Sequence, residues 1–137
     1  MNLQDVYAVF IAKDLKACKN FYTKWFGFET AFESTFFILL TSKGDRSFNL
    51  GLMHEEHPSS PPSIPAMNAQ AGAFLTFQTE NAKSDYEKLK NAGLMIYYHL
   101  KDEPWGQRRF GVLDPNGMYV DIVEQIEPEK GFWERYV

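Results

Sequence analysis

The chain has 137 residues, a net charge of −4, and twelve Phe, seven Tyr and three Trp. That length suits one domain with a real core, and an acidic balance with no basic run among the aromatics argues against a nucleic-acid partner. The single cysteine excludes an internal disulfide and any multi-cysteine zinc site, and no apolar run is long enough to span a membrane. Met1-Asn-Leu-Gln-Asp5 lacks the layout of a signal peptide, so the expected location is the cytoplasm.

Val6–Ala12 is β-rich and predicts a strand. Asp14 then suits a helix N-cap, because its carboxylate can accept the free amides of a first turn. Leu15, Cys18, Phe21, Tyr22 and Trp25 recur at helical spacing, Lys13, Lys16, Lys19 and Lys24 take the solvated side, and Gly27 suits the helix end. Cys18 falls on the apolar stripe and reads as a small core residue. Phe28–Glu33, Phe36–Thr41 and Ser47–Met53 predict three short strands. The order then repeats: a strand over Ala73–Thr79, a cap at Asn81, a stripe of Ala82, Tyr86 and Leu89, and a stop at Gly93. Strands follow over Leu94–His99, Arg108–Leu113 and Met118–Glu124, the last two joined by Asp114-Pro-Asn-Gly117, whose residue types suit a tight hairpin.

Two successive βαβββ units make an internal structural repeat. The expected fold class is α+β, with two βαβββ modules forming curved mixed sheets around a cavity and helices on the outer face. The modules are residues 1–53 and 71–126 of a single domain 1–137. A Pro-rich linker spans 54–70 and a tail spans 127–137. Each half is too small to bury a good core alone.

Alternation sorts the strand residues into faces. Ala8 and Phe10, Phe48, Leu50 and Leu52, and Val120 and Ile122 form uniformly apolar sets that suit a helix-covered face. The opposite sets mix Tyr7, Phe74 and Tyr119 with Asn49, Thr76, Gln78 and Asp121. Asp121 stands out as a carboxylate in mid-strand among apolar and aromatic neighbours. Such a face is either an aromatic-lined binding cavity with a few fixed polar groups or an ordinary solvent-facing sheet.

The chain resembles the glyoxalase/bleomycin-resistance/dioxygenase superfamily, the vicinal oxygen chelate fold, from about Val6 to Glu124. The resemblance rests on Ile11-Ala-Lys-Asp14-Leu15 leading into Phe21-Tyr22 and Phe26-Gly27-Phe28-Glu29, on Tyr86, Leu89 and Gly93, and on Phe110, Asp114-Pro-Asn-Gly117 and Val120-Asp121. Glu103-Pro-Trp-Gly-Gln-Arg108 further resembles the antibiotic-binding branch, in which a Pro-Trp-Gly loop precedes the same hairpin. The resemblance implies a half-barrel of paired modules around a ligand site, and a homodimer. It also implies, for the enzymes, a metal held by His on each module's first strand and Glu or Gln on a last strand. The matching positions are Tyr7, Asn49, Phe74 and Asp121. Only Asp121 carries a good ligand group, so no metal or other cofactor is expected.

The expected function is therefore metal-free binding of a planar or aromatic small organic molecule, as in bleomycin-resistance-type proteins. Its ligand-binding residues would be Tyr7, Asn49, Phe74, Gln78, Trp105, Tyr119 and Asp121, with Asp121 favouring a cationic or hydrogen-bond-donating ligand. The alternative is an enzyme of the same fold, either a metal-dependent lyase or oxygenase or a metal-free isomerase with Asp121 as general base. Trp105 is read either as a stacking residue or as an anchor of its own loop. Arg108 and Arg109 have opposite parity, so only one can face the cavity, and either reads as a surface ion-pair residue; one of Phe36 and Phe37 likewise is an inward candidate. His54, His57 and His99 are too scattered to suggest a ligand set. Gly131-Phe-Trp-Glu-Arg-Tyr-Val137 is either a dimer contact, a lid, or a segment packed on its own domain.

Overall fold

A computed structural model describes residues 1–55 and 73–136. The predicted linker 54–70, apart from its first two residues, and His57 lie outside that range, as does Val137. The chain divides into two compact units, Met1–Ala71 and Gly72–Val137. The first contains β1 (Ala8–Ala12), α1 (Leu15–Phe26), β2 (Glu29–Glu33), β3 (Phe37–Thr41) and β4 (Asn49–His54). The second contains β5 (Leu75–Gln78), α2 (Ala82–Asn91), β6 (Tyr98–Glu103), β7 (Gln107–Leu113) and β8 (Tyr119–Gln125). Each unit is one mixed sheet, ordered β1-β4-β3-β2 or β5-β8-β7-β6, with a parallel first–last pair and antiparallel neighbours. The expected α+β fold of two similar βαβββ units is thus present. No helix among the described residues is long and apolar enough to cross a membrane.

Both helices begin and end where the sequence indicates. The Asp14 carboxylate accepts from the Ala17 amide at 2.9 Å, and Gly27 takes a left-handed φ of 68° after the last turn. The Asn81 side chain accepts from the Ser84 amide at 2.9 Å, and Gly93, at φ 98°, follows the second helix. Leu15, Cys18, Phe21 and Tyr22 of α1 are buried together with Phe10, Ile38, Leu40, Leu50 and Leu52. In the second unit Phe110, Val112, Val120 and Ile122 are buried, and the Phe110 ring meets Tyr86 of α2 at 5.4 Å. Alternation therefore turns the apolar sets toward the helices, as expected. Burying each large side chain stabilises by about 1.5–3 kcal/mol. Phe48 is an exception, 62% exposed just before β4 begins.

Strand ends move by one or two residues from expectation, with one larger correction. The strand predicted over Leu94–His99 is Tyr98–Glu103. Apolar Leu94-Met-Ile-Tyr97 invited the earlier placement, but pairing overrides propensity. Pro104-Trp-Gly106 is a three-residue hairpin loop whose Gly106 has φ 104° and whose amide bonds the Glu103 carbonyl at 3.0 Å. That turn places Glu103 opposite Gln107 and forces the polar residues before it into the ladder. The Pro-Trp-Gly loop is accordingly the tip of a hairpin.

The β7–β8 turn is held by its own first residue. Asp114 is 5% exposed, and one carboxylate oxygen accepts from the amides of Asn116 and Met118, both at 2.8 Å. Gly117 closes the turn at φ 79°, as a type I turn with Asp at its first and Pro at its second position favours. Replacing Asp114 with Ala leaves two amides without this acceptor. The expected loss is about 2 kcal/mol, read as a lower urea midpoint with unchanged slope, with Asp114→Asn losing less. Unchanged midpoints would show that the turn does not depend on the carboxylate.

Candidate functional site

The hairpin register decides which side chains share a face. Leu113 pairs with Tyr119, Gly111 with Asp121, Arg109 with Val123 and Gln107 with Gln125. Thr76 of β5 pairs with Asp121, and Glu103 and Lys101 of β6 pair with Gln107 and Arg109. Arg109, Glu103 and Asp121 therefore lie on the sheet face opposite α2, while Arg108 shares the helix-side parity of Phe110. This resolves the two arginines. Arg108 is a surface ion-pair residue, as expected, bonded to Asp102 through Nε at 2.7 Å, and Arg109 belongs to the candidate site.

Arg109 bridges two buried carboxylates. Its Nε donates to Glu103 Oε1 and its Nη1 to Asp121 Oδ2, each at 3.2 Å, and Glu103 and Asp121 are 6% and 2% exposed. Both carboxylates accept again: Tyr98 donates to Glu103 Oε1 at 2.5 Å and Tyr119 to Asp121 Oδ1 at 3.2 Å. The guanidinium also sits over two rings, 4.9 Å from Trp105 and 5.3 Å from Tyr98. Asp121 is thus not the solitary carboxylate of the sequence reading. Its buried charge is matched, as burial requires.

Small residues make room for this cluster. A Cβ at Gly111 would lie 2.1 Å from Tyr119 Oη, so only glycine lets that ring cross β7 and reach Asp121. Phe74 and Tyr97 each meet the Tyr119 ring edge-on at 6.1 Å. Trp105 is fixed from behind: its Nε1 donates to Gln107 at 2.8 Å, and Trp133 donates to its carbonyl at 2.9 Å. Phe132 lies 6.3 Å from its ring, so the aromatic tail packs on the Trp105 hairpin. Trp105 is thus an anchor of its own loop, and the anchored loop presents its ring to Arg109.

The electrostatics follow from these contacts. Burial pushes the Tyr119 hydroxyl up to about 12, aided by the Asp121 charge and hydrogen bond. The bond to Glu103, with burial, likewise raises Tyr98. Burial alone would raise Glu103, but the Tyr98 hydroxyl and Arg109 outweigh it and hold the carboxyl below its ordinary value. Burial acts to lower Arg109, but Asp121 and Glu103 outweigh it and raise the guanidinium further.

The other sequence candidates divide. Tyr119, Phe74, Trp105 and Asp121 are linked in one network, whereas Gln78 sits near the sheet edge, accepting from Gln125 at 3.2 Å. Tyr7 and Asn49 belong to the first unit, where Tyr7 is 48% exposed and Asn49 donates to Asp5 at 3.1 Å. Phe37, not Phe36, shares the face of Val9 and Gly51, its ring 3.2 Å from a Cβ built at Gly51. Sequence reasoning passed over Tyr97, Tyr98 and Glu103, and left open which of Arg108 and Arg109 faces inward. The turn at Asp114–Gly117 was itself a usable signal for one of them. Counting back from Leu113 opposite Tyr119 puts Arg109 on the Asp121 face.

Residues 6–122 match the family model of the Glyoxalase/Bleomycin resistance protein/Dioxygenase superfamily. The chain belongs to this superfamily. Solved structures agree in fold. A glyoxalase/bleomycin resistance protein/dioxygenase from Nocardioides is 20% identical with a TM-score of 0.71, covering 93% of this chain and 87% of its own. A glyoxalase-related enzyme from Fulvimarina pelagi is 23% identical with a TM-score of 0.70, covering 90% and 89%. A virulence protein from Salmonella typhimurium is 17% identical with a TM-score of 0.73, covering 92% and 100%. No curated protein sequence matches the chain.

The superfamily's metal positions can be tested against these residues. Tyr7 and Phe74 offer no imidazole, the Asn49 amide is bonded to Asp5, and Asp121 is bonded to Arg109 and Tyr119. Among the described residues no group of three or more His, Cys, Asp or Glu is placed to hold a metal ion. This donor set does not fit a divalent cation. Within-sheet registers, with Ala8 beside Leu50 and Leu75 beside Val120, also make Gly51 the counterpart of Asp121 and Asn49 that of Tyr119. Asn49 and Asp121, grouped by the resemblance, are thus two residues out of correspondence.

The raised Tyr119 gives a sign-definite expectation. Its neutral hydroxyl is favoured by the fold, so the stability it contributes is present below about pH 10 and lost as pH rises toward 12. Glu103 acts oppositely: its contribution is present above pH 4.5 and lost as pH falls through the lower folded-state value. Ultraviolet titration of the phenols should show one ionising near pH 12, absent in Tyr119→Phe. If all seven tyrosines titrated together near pH 10, the buried Tyr119–Asp121 contact would be refuted.

Proposed function

We propose that the chain is a metal-free binding protein of the bleomycin-resistance type, sequestering a planar or aromatic organic molecule, and that it works as a homodimer. The observation that carries this reading is the Arg109 cluster. Its charges are matched within the sheet, and its surroundings are rings: Tyr97, Tyr98, Trp105, Tyr119 and Phe74. Fixed polar groups among aromatic walls are the usual make-up of a small-molecule site. Stacking adds on the order of 1 kcal/mol per ring pair beyond burial.

The arrangement favours binding over the enzymatic alternatives. A general base must come within hydrogen-bond reach of a substrate proton, and Asp121 is 2% exposed with both oxygens already accepting hydrogen bonds from within the sheet. A metal-dependent reaction would need donors that the four superfamily positions lack. The superfamily's name includes bleomycin resistance proteins, which makes planar antibiotics the natural first probes.

Titrating the protein with a panel of planar antibiotics, bleomycin included, should quench tryptophan fluorescence saturably in at least one case. Elemental analysis of the same preparation should find no stoichiometric zinc, nickel, iron or manganese. Sedimentation should give twice the 15.9 kDa chain mass. Stoichiometric metal, or turnover lost in Asp121→Asn, would replace this reading with an enzymatic one.

A further inference from the structure

We infer that the unbonded edge of the Arg109 guanidinium is the polar anchor of the binding face, and that its ligand is a neutral planar molecule presenting a carbonyl-type acceptor. This inference rests on the binding role proposed above and specifies its chemistry.

A guanidinium has five N–H donors in one plane. In Arg109, Nε is spent on Glu103 and one Nη1 hydrogen on Asp121. Nη2 donates to neither carboxylate. The guanidinium also donates to Tyr98, which still leaves donors of the five unspent on a side chain that is 24% exposed. Trp105 and Tyr98 contact the guanidinium, and the two carboxylates fix its rotation. The remaining donors are thus pre-positioned, which lowers the entropic cost of meeting a ligand.

Charge narrows the ligand class from both sides. An anionic ligand at Nη2 would approach a guanidinium already paired with two carboxylates, and both would repel it. Lys101 offsets them weakly, 3.9 Å from Glu103 with a 63% exposed side chain. A cationic ligand would approach the guanidinium itself, and Asp121 is only 2% exposed with both oxygens already accepting from Tyr119 and Arg109. This inference therefore departs from the cation preference expected when Asp121 was read as unpaired. A neutral amide, lactam or quinone carbonyl accepts from Nη2 without either conflict. Its ring can lie among the Trp105, Tyr119 and Phe74 side chains.

Matched single-ring probes separate the classes. Benzamide, benzoate and benzylamine are titrated into the full chain while the Trp105 indole and Arg109 Nε–H signals are followed by NMR. Benzamide should shift both saturably and bind at least about tenfold more tightly than either charged probe, the worth of one well-placed hydrogen bond. Arg109→Lys keeps the charge but loses the planar fork, and should weaken benzamide about tenfold while leaving the charged probes unchanged. If that variant does not fold, the ranking of the three probes on the native chain decides alone. Preference for benzoate or benzylamine overturns the inference and leaves the binding role standing. Silence to all three probes while a planar antibiotic binds does the same. Silence to both the probes and the antibiotic panel overturns the two together.

Discussion

Arg109 carries a charge onto a sheet face between two carboxylates that are almost fully buried, Glu103 and Asp121. None of the three would be tolerable there alone. An unpaired buried charge costs several kcal/mol, and removing one partner of a buried pair exposes that cost. The pairing therefore constrains everything around it. Two tyrosine hydroxyls complete the carboxylates' hydrogen bonding, two rings cover the guanidinium, and Gly111 leaves space for the Tyr119 ring. The aromatic character of the face and its fixed polar geometry are consequences of one problem, which is how to keep three charges in a sheet.

The backbone around the cluster is correspondingly well determined. The Asp114 turn sets the β7–β8 register, which alone puts Arg109 and Asp121 on one face. The Pro104–Gly106 turn sets the β6–β7 register, which brings Glu103 to the same side. A slip of one residue in either hairpin would turn its partners toward the helix. The C-terminal segment adds a further tie, from Trp133 to the Trp105 carbonyl and from Glu129 to the Pro104 carbonyl at 2.9 Å. Of these residues only Asp121 falls at a position that the resemblance gives to a metal ligand, and there it is bonded to Arg109 and Tyr119.

Much of the fold was legible because local signals agreed with one another. The Asp14 and Asn81 caps, the Gly27 and Gly93 stops, the helical stripes and the Asp114-Pro-Asn-Gly117 turn each have a near-local physical cause. The β6 strand was misplaced because its residues, Tyr98 to Glu103, are polar. Their place in the ladder depends on pairing with β7, which no local propensity encodes. The candidate site was half legible. Asp121, Tyr119, Phe74 and Trp105 stood out by parity and composition. Glu103 and Arg109 did not, because charged residues beside a loop ordinarily mark solvent. Only the register of two hairpins, taken together, turns them to one face. The expected preference for a cationic ligand followed from reading Asp121 without its partner Arg109.

The central claim is that Arg109 and Asp121 are energetically coupled within the sheet rather than independently solvated. A double-mutant cycle with Arg109→Met, Asp121→Asn and the double variant, each measured by urea denaturation, tests this directly. The account predicts a coupling of about 1–3 kcal/mol, with the double variant more stable than the sum of the single losses implies. Additivity within about 0.3 kcal/mol would mean that the two charges do not depend on each other, and the account of the site would fail.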